Sequence, residues 1–219
     1  MKRDQLCVIS FVLAFVGLIY EFVFAQTLTI VFGNTYLQYA LTIGIFTFGL
    51  GTGSLAFEMQ KKKIKSPKKA FVKIQAILIP VCLFGLMIIL FSESIFGSGF
   101  FAHVISYIPI LGVAFLTGFE LPLIMEMTDD PAASIEILSY DFGGMFVATV
   151  LFPFFFLPVL GVFATLNTCL ILNLASLVYV LKPKKFAHRA YASGVLLVIL
   201  MGFVFDAKLI SYFGKILTD

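Results

Sequence analysis

The stretch CVISFVLAFVGLIYEFVFAQ (residues 7–26) carries one charged side chain, Glu21, in an otherwise apolar run. Twenty residues rising about 1.5 Å each span about 30 Å, the thickness of a bilayer's hydrocarbon core. The rest of the chain decides between a soluble core and lipid. Of its 219 residues 61% are hydrophobic and 12% charged, and the mean hydropathy is +1.07. Soluble domains run at about 45–50% apolar and about 25% charged. A water-soluble fold could not hide this much apolar surface, so the expected solvent is a lipid bilayer.

Apolar runs of similar length recur along the chain. They predict an all-α, polytopic membrane helix bundle of about seven transmembrane helices in residues 1–205. Beyond residues 7–26, the spans are residues 36–57, 70–91, 100–124, 137–159, 162–181 and a shorter 191–205. Residues 27–32 are a short apolar stretch that meets a turn signal at Gly33-Asn34. In residues 206–219, Leu209, Phe213, Ile216 and Leu217 share one helical face, opposite Lys208, Ser211, Lys215 and Asp219. That pattern suits an amphipathic interfacial tail. The seventh segment reads as a full crossing, with a re-entrant path as the alternative.

Lys2 and Arg3 before an apolar run ending Val23-Phe24-Ala25-Gln26 loosely fit a secretory signal. Glu21 interrupts that run, and the first segment is read as a retained helix.

Charge placement gives an orientation. Lys2 and Arg3, the loop with Lys61, Lys62, Lys63, Lys65, Lys68 and Lys69, and the loop with Lys182, Lys184, Lys185 and Arg189 fall on one side if every span crosses. By the positive-inside rule that side is the cytoplasm. The expectation is a multi-pass protein of the cytoplasmic (inner) membrane with a cytoplasmic N-terminus. Tyr36, Tyr39, Tyr140, Tyr179 and Tyr191 lie at span ends, where amphipathic rings favour the interface. The net charge of +3 sits in short loops and is no nucleic-acid footprint.

Three cysteines, Cys7, Cys82 and Cys169, stand far apart in apolar runs. They have no metal-ligand spacing and read as packing residues. Gly49, Gly51 and Gly53 form a small-residue stripe suited to close helix packing, and Gly143 and Gly144 read the same way. Pro122, Pro153 and Pro158 are expected to kink helices or mark their ends.

The residues that could bind a substrate are carboxylates. Glu21, Glu120, Glu126 and Asp141 lie within or at the edge of spans. A charge at a helix centre costs about 2.5–3.5 kcal/mol on insertion scales, so such groups should face the bundle interior, water or a partner. Glu120 and Asp141 are plausible neighbours across a short connection, while Glu21 falls toward the outer half. With Asp129, Asp130 and Glu136 nearby, one reading is an acidic vestibule for an organic cation, using Glu21, Glu120 and Asp141. The other is structural: Lys73 snorkels or pairs with Asp141 or Glu120, and Glu21 bonds a helix or water. His103 reads as an interfacial side chain. No nucleophile–base pair or metal cluster is visible, and no cofactor is expected.

Three stretches carry a family resemblance. GLIYEFVFAQTLTIVFGNTYLQYALTIGIFTFGLGTGS (residues 17–54), GFELPLIMEM (residues 118–127) and ILSYDFGGMFVATVLFPFFFLPVLGVFATLNTCLILNLAS (residues 137–176) resemble, in order, parts of the membrane region of bacterial polyamine aminopropyltransferases, the spermidine synthases. The combination of Tyr20-Glu21, Glu120-Leu121-Pro122, Tyr140-Asp141 and Leu157-Pro158 carries it. In two-part members this region precedes a Rossmann-like domain that binds decarboxylated S-adenosylmethionine and aminopropylates putrescine. The Gly-rich loop and acidic residues of that domain have no counterpart here. The resemblance therefore implies a membrane module without the transferase activity, hence no enzyme. Its partners would be the bilayer, a polyamine-like cation that it binds or transports, and, in the alternative reading as an anchor or scaffold, a separately encoded aminopropyltransferase. It carries over no residue roles.

Overall fold

The computed structural model describes residues 3–97 and 99–181, and they form a bundle of helices without strands. The helices are α1 (Arg3–Phe32), α2 (Thr35–Gln60), α3 (Pro67–Phe96), α4 (Phe100–Met125), α5 (Pro131–Leu151) and α6 (Gly161–Leu181). A π-helical segment, Phe152–Leu160, joins the last two. The expected seventh span and the interfacial tail lie outside the described residues.

Five stretches among the described residues are long and apolar enough to cross a membrane. The count of about seven is therefore corrected. The expected fifth and sixth spans belong to one helical run, Pro131–Val180, of 50 residues. Straight, it would measure about 75 Å, more than twice the hydrocarbon thickness. It is not straight. Asp141 meets Ser10 and Phe152 meets Phe22, so α5 climbs alongside α1 in the same direction. Asn173 meets Tyr20, and Val180 shares a cluster with Leu6 and Cys7, so α6 returns. The reversal falls at Gly161, whose φ of 71° an L side chain rarely adopts.

The first helix is longer than the apolar run suggested. Residues 27–32 continue α1 to Phe32 because nothing there breaks the period. The Gly33-Asn34 turn stands as expected: Asn34 takes a left-handed conformation, and its side chain accepts from the Leu37 N–H.

α1 is the centre of the bundle and packs against every other helix. Its buried residues surround it on all faces, from Leu6 and Cys7 at the Arg3 end to Thr27 and Leu28. The others leave large apolar side chains outside, including Phe48 and Leu55 on α2, Phe84 and Phe91 on α3, and Phe142 and Phe146 on α5. An inside–outside distribution of this kind fits an apolar surrounding.

The small-residue readings resolve by face. A Cβ on Gly49 would strike the Ala114 methyl, one on Gly53 the Phe115 carbonyl, and one on Gly118 the Leu50 carbonyl. α2 and α4 thus meet backbone to backbone. Gly51 looks the other way, with nothing within 4 Å. Gly144 abuts the Phe11 carbonyl on α1, while Gly143 makes ordinary contact with the Phe11 ring at 3.8 Å. All three cysteines are buried and free.

Candidate functional site

The start of α1, the α2–α3 connection and the α4–α5 connection meet at one end of the bundle. Two ion pairs mark it. Arg3 Nε lies 2.9 Å from Glu136 Oε2, and Lys61 Nζ lies 2.6 Å from Glu126 Oε2. Of the acids read as a vestibule, Glu136 is thus paired with a cation from an adjoining helix end, and Asp130 caps α5 by accepting from the Ala132 N–H.

Deeper from that end lie Glu120 and Asp141, from α4 and α5. Glu120 is 4% exposed, and its Oε1 accepts from Gln75 Nε2 of α3 at 2.7 Å. Asp141 Oδ1 accepts from Ser10 Oγ of α1 at 3.1 Å. The two carboxyls lie within electrostatic reach of each other. The expected pairing of Lys73 with either of them is not found, and Lys73 is exposed: the ion pairs among the described residues use Arg3 and Lys61. The physical reason is angular. Gln75, two residues on, is the side chain that α3 turns inward to Glu120.

Glu21 does not join them. It is 6% exposed and stands eleven residues beyond Ser10 on α1, about 16 Å along the axis. Among the described residues it makes no hydrogen bond or ion pair. The three expected site carboxylates therefore divide into a pair near the basic end and a lone member toward the other.

Around them runs a set of buried polar contacts that the sequence reading missed. The Tyr20 hydroxyl accepts from Asn173 Nδ2 at 2.7 Å, tying α1 to α6. The Tyr107 hydroxyl donates to Gln38 Oε1 at 2.6 Å, tying α4 to α2, and the Tyr39 hydroxyl donates to Gln26 Oε1 at 2.9 Å. Uncharged Gln, Asn and Ser inside apolar runs were the only available signal, and periodicity alone does not say which helix answers each. His103 stacks on Phe32 at 4.0 Å, at the end opposite the ion pairs. Among the described residues no three His, Cys, Asp or Glu side chains gather as a metal site would need.

The arrangement can stabilise positive charge. Two carboxyls within electrostatic reach of each other, each bonded only to a neutral partner, leave acceptor capacity for an ammonium group. Both stand in apolar surroundings, where such an interaction is weakly screened.

Comparison with known proteins adds a relation. The chain is 27% identical to a polyamine aminopropyltransferase of Leptospira interrogans, over 91% of this chain and 41% of that protein. It is 34% identical to polyamine aminopropyltransferase 2 of Aquifex aeolicus, over 83% of this chain and 37% of the relative. With polyamine aminopropyltransferase 1 of Streptomyces coelicolor it shares 28% identity, over 73% of this chain and 30% of the relative. No family model matches the chain, and no solved structure does. The chain spans about two-fifths of the length of the first of these relatives. These similarities support a relation to the polyamine aminopropyltransferases. They overturn the expectation that the chain belongs with non-enzymes, because the proteins it resembles over most of its length are named as enzymes.

Proposed function

We propose that this chain is the membrane-embedded part of a polyamine aminopropyltransferase system and that it binds polyamine cations in the bundle, at Glu120 and Asp141. It lies in the cytoplasmic membrane as a multi-pass bundle, with the Arg3 end inside. The single observation that carries the binding site is the carboxyl pair: two acids from different helices, within electrostatic reach of each other, neither paired with a cation among the described residues. The names of the relatives supply the chemical class of ligand, a polyamine. Glu21, about 16 Å farther along α1, is a second station for a cation that passes through the bundle.

The test is spermidine binding to the full chain in detergent, with the double variant Glu120→Gln/Asp141→Asn as comparison. A charge-assisted hydrogen bond contributes about 1.5–3 kcal/mol, so affinity should fall by about 10- to 100-fold while the protein stays folded. Unchanged affinity in that variant rejects the site.

One observation favours a second reading, a docking platform for the transferase. Lys62, Lys63, Lys65, Lys68 and Lys69 are all exposed at the basic end, and none of them enters an ion pair among the described residues. Crosslinking from that loop in cells would capture an aminopropyltransferase domain if the platform exists, and capture of none rejects it.

A further inference from the structure

Gln75 is fully buried on α3, and only its nitrogen is used. Nε2 donates to Glu120, while Oε1 of the same amide is sealed from solvent without a donor. The hydroxyls of Thr42 and Thr117 share that condition. A hydroxyl, however, can turn toward a carbonyl of its own helix, and the two ends of a planar amide are fixed relative to each other. An ionised carboxylate offers only acceptors and cannot help the orphaned oxygen. A protonated carboxyl carries one O–H donor. With a proton, Glu120 can accept from Nε2 and offer its O–H to Oε1, the donor that Gln75 lacks.

The charges around Glu120 agree with a neutral acid. Asp141 on α5, Tyr20 on α1 and Cys82 on α3 lie within electrostatic reach of it. α2 contributes the Ser54 hydroxyl, which donates to the Gly118 carbonyl, and α6 contributes Asn173, which donates to Tyr20. None of these groups is a cation. Arg3 and Lys61 are engaged with Glu136 and Glu126.

We propose that Glu120 is a proton-exchange site: it shares a proton with Gln75 while the cation site is empty and gives that proton up when an ammonium group settles between Glu120 and Asp141. The proposal rests on the cation reading above. The exchange balances. The carboxylic O–H breaks, its electron pair stays on Glu120 as carboxylate charge, and the proton leaves toward half-buried Asp141 and water at the basic end. One positive charge enters as one departs, so the exchange itself adds no net charge to a low-dielectric site, which would penalise it heavily.

The experiment has two parts, both on the full chain in lipid nanodiscs. Infrared difference spectra between neutral and strongly alkaline pH should show a protonated-carboxyl C=O band that Glu120→Gln removes. Gln75→Leu, which keeps the acid and deletes its amide partner, should move that band to the position of an unbonded acid and serves if Glu120→Gln does not fold. Absence of a Glu120-dependent band at neutral pH overturns the proposal. Spermidine added to weakly buffered protein should then release a proton for each molecule bound, read with an indicator dye, and Glu120→Gln should lose this release. Binding without release overturns the exchange and leaves the cation site standing. Failure of spermidine to bind, with the acid band present, overturns the cation site and the exchange with it.

Discussion

The α2–α4 seam and the α1–α6 seam hold neighbouring helices by different means. Along α2 and α4, Gly49, Gly53 and Gly118 let backbones touch, and two side-chain links are added, Ser54 Oγ to the Gly118 carbonyl at 2.8 Å and the Tyr107 hydroxyl to Gln38 Oε1 at 2.6 Å. Along α1 and α6 the side chains are large. Tyr20, Leu166, Cys169 and Leu170 interlock, and the Tyr20–Asn173 hydrogen bond fixes the register. In lipid there is little hydrophobic gain from pairing two apolar helices, so association depends on dispersion contacts and polar links. The glycine seam brings backbones into contact and adds its polar links beside them, whereas the tyrosine seam packs side chains around one polar link. Position explains the choice. α1 is enclosed by neighbours on all sides, whereas α2 leans mainly on α4 and leaves Tyr36, Phe48 and Leu55 outside.

The contrast breaks first at the glycines. Gly53→Val puts a branched side chain against the Phe115 carbonyl, and the helices must separate to admit it. We expect loss of the folded monodisperse form, or destabilisation of several kcal/mol on the scale of severe overpacking, read by thermal unfolding in detergent. A protein that keeps wild-type stability would show that the seam is looser than the geometry requires. Gly144→Val, against the Phe11 carbonyl where α5 meets α1, should be next in severity. The same unfolding assay tests whether backbone contact matters equally on both sides of α1.

The polar link is worth less. Tyr20→Phe keeps the ring and deletes the acceptor of the Asn173 amide. The loss should be about 0.6 kcal/mol and no more than about 1.7, by the range for hydrogen bonds between membrane helices. A double-mutant cycle with Asn173→Leu isolates the pair, and a coupling near zero would mean that shape alone sets the α1–α6 register. The smallest effect belongs to Gly51→Ala. The added methyl enters open space on the outer face of α2, so stability should stay within about 1 kcal/mol of wild type and rise if it changes. A large loss there would reveal an unseen neighbour on that face.

The two seams were not equally legible. The small-xxx-small spacing of Gly49 and Gly53 announces close packing, because only small residues permit it. Gly51, read as part of the same stripe, instead has nothing within 4 Å, because it lies two residues off that spacing. Tyr20 and Asn173 are 153 positions apart, each isolated in an apolar run, and no local pattern couples them. The same difference separates the site carboxylates. Glu120 and Asp141 could be paired in advance because a short connection joins their helices. Gln75 and Ser10, their actual hydrogen-bond partners, come from α3 and α1 and carry no comparable sequence signal. The count of seven helices is not supported either: five stretches qualify among the described residues. Hydropathy, which measures how apolar a run is and not whether the chain stays helical between runs, did not show the π-helical segment joining α5 to the turn at Gly161.

By itself the sequence determined the class of molecule: long apolar helices, lysines gathered in connections, and a few acids that need shelter. These follow from the composition of single segments, because solvation acts residue by residue. Only the tertiary structure decided which helix sits at the centre, that Arg3 and Lys61 neutralise Glu136 and Glu126, and that Gln75 meets Glu120 with one oxygen left over. Those contacts depend on the relative rotation of packed helices, a property of pairs of segments that neither segment encodes alone.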